Sequence, residues 1–254
     1  MTTSTDPKPS APEPARPANA DAWAQPVDRL AIGLSPSPDA LTSTVVGRRV
    51  TGPLQGFGRL WQKTFRVRLP AASEVTPEEV VATWKAEFAT FWPKGNRFYA
   101  PLAGIKPGEL ALLAVTAAGP VKLHTGILVM YADSEAFTFM TPEGHMLAAW
   151  ITFSSYRDSD GRVVVQAQEL ARASDPLFEM GMILGGHRNL RRFWEATVRN
   201  VAARFGVDAV AETEVVCVDK RRQWRQVGNV RYNAGFRSML YLAGAPLRWV
   251  RRRS

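Results

Sequence analysis

The chain has 254 residues, 46% hydrophobic and 22% charged, enough for one large domain or a medium domain with extensions. One cysteine, Cys217, excludes an intrachain disulfide, and with only three scattered histidines it cannot build a structural zinc site of the usual spacing. No apolar run reaches the roughly 20 residues that span a bilayer, and the polar start MTTSTDPKPS is unlike a secretory signal, so a soluble, cytoplasmic protein is expected.

The net charge of +9 is unevenly spread. From Gly186 onward fifteen Lys or Arg face five Asp or Glu, so the rest of the chain is close to neutral. Such an end suits an anionic partner, or is simply a solvated arginine-rich helix with a basic tail.

Residues 1–45 read as a disordered Pro/Ala-rich leader, because eight of the 18 prolines fall in the first 40 positions and little apolar surface offsets the cost of ordering them. Two patches, WAQPVDRLAIGL and TVVGRRV, are placed to dock on the domain. The folded domain is expected over 54–206. LWQKTFRVRL alternates Trp61, Lys63, Phe65, Val67 and Leu69 against polar partners, the period of a half-buried strand. TPEEVVATWKAEFATFWP follows as a helix, with Thr76 as N-cap, Pro77 in the first turn and Glu79 completing a capping box. Five strands come next, Leu110–Thr116, Val121–Tyr131, Ala136–Thr141, His145–Tyr156 and Arg162–Ala171. Their short Gly-, Pro- and Asp-rich connections predict antiparallel neighbours. Asp175 and Pro176 then open a helix to Phe205, interrupted at Gly185-Gly186 by a kink or a close backbone approach. Residues 207–254 form a basic extension with an amphipathic segment.

This order gives an α+β plan, and it resembles the helix-grip fold of the START/Bet v 1-like (SRPBCC) superfamily, a curved antiparallel sheet wrapped around a long C-terminal helix. Within it, Phe139, Gly144-His145, Phe153, the turn Asp158–Gly161 and the helix start Ser174–Pro176 resemble the core of the DUF1990 family over residues 55–206. One departure is that acidic residues associated with the strand after Gly-His stand here as Ala148 and Ala149. The resemblance implies a hydrophobic or lipid-like small-molecule binder. It also leaves an enzyme of the cyclase or hydrolase type open on the same scaffold, since fold does not decide chemistry.

Parity decides which side chains cooperate. Trp150, Thr152 and Ser154 share a face with Gln166 and Gln168 of the next strand. That mixture suits either a cavity wall that orients a guest or the solvent side of the sheet. Trp194 of the long helix adds an apolar contact to the cavity reading. No catalytic residue is assigned: nucleophile, phosphate-loop and zinc-protease motifs are missing from the sequence. His145 is expected to cap a turn or lie at the surface, His124 to be exposed or satisfied in burial, His187 to be exposed, and Cys217 to pack. No metal and no cofactor is assigned. In the tail, Phe236, Leu240, Trp249, Arg251, Arg252 and Arg253 fit contact with an anionic membrane, or with the domain or a second subunit. Nucleic acid is disfavoured, because the tail lacks a recognition motif.

Overall fold

The computed structural model describes residues 19–32, 42, 44–71, 73–118 and 121–235. The tail candidates Phe236, Leu240, Trp249, Arg251, Arg252 and Arg253 lie outside the described residues. Strand β1 (Val50–Thr51) precedes β2 (Leu60–Arg68), the alternating stretch read above. Helix α1 (Pro77–Ala86) starts on its capping box: Thr76 Oγ1 accepts the Glu79 N–H at 3.2 Å and Glu79 Oε2 accepts the Thr76 N–H at 2.8 Å. It tightens into a 3₁₀ turn at Phe88–Phe91, which ends it before Pro93.

After a short β3 (Arg97–Tyr99) come the five expected strands, β4 (Leu110–Ala118), β5 (Val121–Ala132), β6 (Ala136–Pro142), β7 (Leu147–Arg157) and β8 (Val163–Ala173). Each pairs antiparallel with the next. The sheet runs β3-β4-β5-β6-β7-β8-β2-β9, with β1 added on β6 and the two ends unjoined. Strand β9 (Glu212–Asp219) carries the sheet past residue 206, and residues 220–235 also pack on the domain, so regular structure continues beyond the expected boundary.

The C-terminal helical region divides at its glycines. Helix α2 (Pro176–Gly181) is capped by Asp175, whose Oδ1 accepts the N–H groups of Leu177 and Phe178. A kinked segment, Met182–Gly186, in which Leu184 and Gly185 leave helical geometry, leads into α3 (His187–Arg204). Gly185 adopts φ 126°, which a side chain would resist, and a Cβ on Gly186 would fall 2.9 Å from the Gly181 carbonyl oxygen. Kink and close approach are therefore both present.

Both α1 and α3 lie on the face built from Phe65 and Val67 of β2, Phe137 and Phe139 of β6, Ile151 and Phe153 of β7, and Val165 and Ala167 of β8. Trp84, Phe88 and Trp194 complete an aromatic core in which ring pairs meet mainly edge to face, for instance Trp84 on Phe153 at 5.2 Å. The opposite face is covered at β4-β5-β6 by the chain before the domain. Leu30 and Val45 pack there with Leu110, Leu112 and Leu128, as the two docking patches were expected to do. Gly126 permits this, because a Cβ there would lie 3.1 Å from Val45. An antiparallel sheet carrying one long C-terminal helix is the helix-grip plan, here with an open sheet.

Candidate functional site

The structure separates the six expected ligand-binding residues. Trp150, Thr152, Ser154, Gln166 and Gln168 stand on the face turned away from α3, because Ile151, Phe153, Val165 and Ala167 take the opposite parity and meet the helices. They are satisfied by one another and by neighbours on the same face instead of lining the interior. Trp150 Nε1 donates to Thr152 Oγ1 at 3.2 Å, and Gln168 Nε2 to Thr64 Oγ1 at 3.2 Å. Gln166 Oε1 accepts from Arg66 Nε at 2.7 Å. Trp150 packs against Trp23 at 6.3 Å. Of the six, Trp194 alone points into the gripped core, against Phe153 at 5.5 Å, and its indole N–H has no hydrogen-bond partner.

The same parity buries two charges. Lys63 belongs to the stripe Trp61-Lys63-Phe65-Val67, and Glu169 to Val163-Val165-Ala167-Glu169. Register sets Lys63 beside Glu169, with Ile151 on the other side of Glu169. The ammonium lies 3.5 Å from Glu169 Oε2, and the two side chains are 5% and 3% exposed. That oxygen has no hydrogen bond. Burial pushes the Glu169 carboxyl up, and Lys63 opposes the rise. His187, the first residue of α3, is half-buried instead of exposed as expected: it packs edge-on to Trp61 at 5.3 Å, and burial together with the Lys63 charge pulls it down to about 4. A lysine, a carboxylate, an imidazole and an indole thus meet under the helix break.

Stability does not explain this pair. Replacing a buried ion pair by apolar residues of similar volume is often neutral or stabilising by about 1–4 kcal/mol, so the pair is not a stability device. The signal was present in the sequence as a charge at the apolar parity of each strand, but only the register joins the two.

The other polar clusters are structural. Buried Arg172 donates to the carbonyls of Gly58 and Arg221 and pairs with Asp219 at 2.7 Å; the Arg221 N–H, and then Arg172, hold that carboxyl well below the usual range. Arg222 reaches Glu179 at 3.2 Å, Asn233 donates to Asp175 at 2.7 Å, and Asn229 donates to Ser174 O at 2.9 Å. These bonds clamp residues 219–235 over the β6–β7 turn, where the Ala234 N–H meets Gly144 O. His145 is buried in that turn. Its Nδ1 lies 3.0 Å from the Leu147 N–H, and burial pulls its pKa to about 4, so it caps the turn as expected. His124 lies on the outer face and is half-buried. Cys217 of β9 is partly buried opposite Trp61. An open cleft of about 430 Å³ is bounded by Arg68, Asp158, Asp160, Arg162 and Glu212, where Arg68 pairs with both Asp158 and Glu212. Among the described residues no cluster of His, Cys, Asp and Glu could hold a metal ion, and no helix is long and apolar enough to cross a membrane.

No protein-family model and no curated protein matches the chain. Among solved structures, a START superfamily protein from Mycobacterium smegmatis aligns over 58% of this chain and 99% of its own length, at 16% identity and a TM-score of 0.39. A protein from Arthrobacter aurescens covers 62% of this chain and 90% of its own, at 12% identity and a TM-score of 0.42. The di-domain ARO/CYC StfQ from the steffimycin biosynthetic pathway is matched over 57% of this chain and 52% of its own, at 13% identity and a TM-score of 0.42. At these values the likeness assigns neither a family nor an activity.

Proposed function

We propose that this chain is a DUF1990-like member of the START/Bet v 1-like superfamily, and that it binds a small amphipathic molecule between sheet and C-terminal helix, at the Lys63–Glu169 end. The observation that carries the reading is the buried Lys63–Glu169 pair, whose Oε2 has the ammonium at 3.5 Å as its sole polar neighbour among the described residues, on the gripped face beneath the break between α2 and α3. The family resemblance is supported by the places its residues take. Phe139 and Phe153 lie in the core, Gly144 turns the chain at φ 90°, and Asp175-Pro176 opens α2.

The site favours a guest with an apolar body and an anionic head. Trp61 and the aliphatic neighbours supply apolar contact, and Lys63 supplies the charge. A guest carboxylate that takes Lys63 leaves Glu169 without its cation. Burial already favours the protonated carboxyl there, so Glu169 accepts a proton and the local charge stays balanced. The helix break supplies the way in, since the backbone leaves helical geometry at Leu184 and Gly185 and the regular hydrogen-bond ladder is interrupted there.

Decanoate and decanol, titrated calorimetrically against the full chain, test the reading. Decanoate is expected to bind more tightly than the alcohol, and Lys63→Met to weaken decanoate about tenfold or more while leaving decanol nearly unchanged. Equal binding of decanoate to both proteins overturns it. A non-denaturing mass spectrum of protein from its own host should carry the added mass of a co-purified guest.

A further inference from the structure

The helix break also exposes apolar side chains that the fold does not use. Leu177 and Met180 of α2 and Ile183 and Leu184 of the kinked segment face outward, Leu184 being 78% and Ile183 60% exposed. The 3₁₀ segment Trp224–Tyr232 packs beside α2, held there by the Arg222–Glu179 ion pair, and presents Trp224 at 71% exposure together with Val227. One end of the molecule thus carries aliphatic tips and an indole.

The charge around them has one sign. The nearby carboxylates are consumed internally: Glu179 by Arg222, Asp219 by Arg172 and Arg221, and Asp175 by the α2 cap and Asn233. Arg188, Lys220 and Arg225 are exposed and have no ion pair among the described residues. From Lys220 to the end the chain holds ten Lys or Arg and no acidic residue.

We propose that this end docks on an anionic lipid bilayer, with Ile183, Leu184 and Trp224 entering the headgroup region and Arg188, Lys220 and Arg225 meeting lipid phosphates. Aliphatic tips gain nothing against a nucleic-acid backbone, which is read by cations and hydrogen bonds. A second copy would set like charges against each other across a two-fold interface. A bilayer takes both features at once: apolar tips and an indole at the interface, cations at the surface. The surface shares the helix break with the guest's way in, but docking does not require the guest.

Flotation of the full chain with phosphatidylcholine vesicles, and with the same vesicles containing phosphatidylglycerol, tests the proposal. Binding is expected only with the anionic lipid and should weaken as salt rises. Ile183→Asp with Leu184→Asp should abolish it, and Arg188→Glu with Arg225→Glu should lower it by about fivefold or more for each cation removed. All four positions are exposed, so unchanged melting temperatures will show that the variants fold. Wild-type binding by both variants overturns the proposal, because the attachment would then lie elsewhere in the chain. Failure to float with anionic vesicles, or binding to RNA or a dimer that the same substitutions break, overturns it too.

Discussion

Lys63→Met is the most informative single change, because it removes the cation and leaves the carboxylate of Glu169 in place. Both side chains are almost completely covered, so the variant keeps a lone charge in a buried, mainly apolar setting. Breaking a buried pair in this way costs about 3–5 kcal/mol, a large share of the 5–15 kcal/mol typical of a domain. The cost should depend on pH, with a sign fixed by Glu169. Burial raises its folded-state pKa above the ordinary value of 4.5, and without Lys63 the rise is larger. A carboxyl raised in this way favours folding below its unfolded pKa, and that contribution is lost as pH rises through the folded one. The penalty of Lys63→Met should therefore shrink on going from about pH 7 to about pH 5, by up to about 1.4 kcal/mol per unit. Urea denaturation of both proteins at the two pH values measures it; His145 cancels in the difference, and because Lys63 also helps pull His187 down, the comparison is made in a His187→Asn background. Lys63→Met with Glu169→Leu should recover wild-type stability or exceed it. A cost below about 1 kcal/mol for Lys63→Met that does not change with pH would refute the reasoning, since water would then reach the carboxylate.

Gly144→Ala should cost at least about 2 kcal/mol, because φ is 90° and the new methyl would lie 2.1 Å from the Tyr232 carbonyl oxygen. Gly161→Ala, at φ 74° with open space around it, should cost only about 1–2 kcal/mol, and limited proteolysis should cut within 219–235 in the first variant alone. His145, pulled from 6.5 to about 4 by burial, is a group the folded state keeps neutral. Its contribution is full above about pH 6.5 and is lost as pH falls toward 4, at about 1.4 kcal/mol per unit; His145→Asn should flatten that slope in denaturant titrations. Thr152→Ala and Gln166→Ala should leave decanoate binding unchanged, because both residues lie on the face turned away from α3.

Local rules made much of this fold legible. The Thr76–Glu79 box, the Asp175-Pro176 start and the glycine-marked turns act within a few residues, and all stand where the sequence places them. Strand parity was equally legible, since Trp150 to Ser154 and Gln166 to Gln168 do share a face. Which face the helices cover was not. Trp150 on the polar side suggests an interior, but its partner is Trp23, from a segment that folds over the outside of the sheet. Lys63 and Glu169 each broke an apolar stripe, and neither signal had meaning until β2 and β8 were adjacent. Strand β9 escaped notice because Val215, Val216 and Val218 are all largely exposed at the sheet edge, without alternation.

Proton uptake on guest binding tests the account most directly. Calorimetry of decanoate binding near neutral pH, in two buffers of different ionisation enthalpy, should show net uptake that disappears in Glu169→Gln. Binding without uptake, or uptake that persists in Glu169→Gln, would contradict a guest seated on Lys63 beside a carboxyl ready to be protonated.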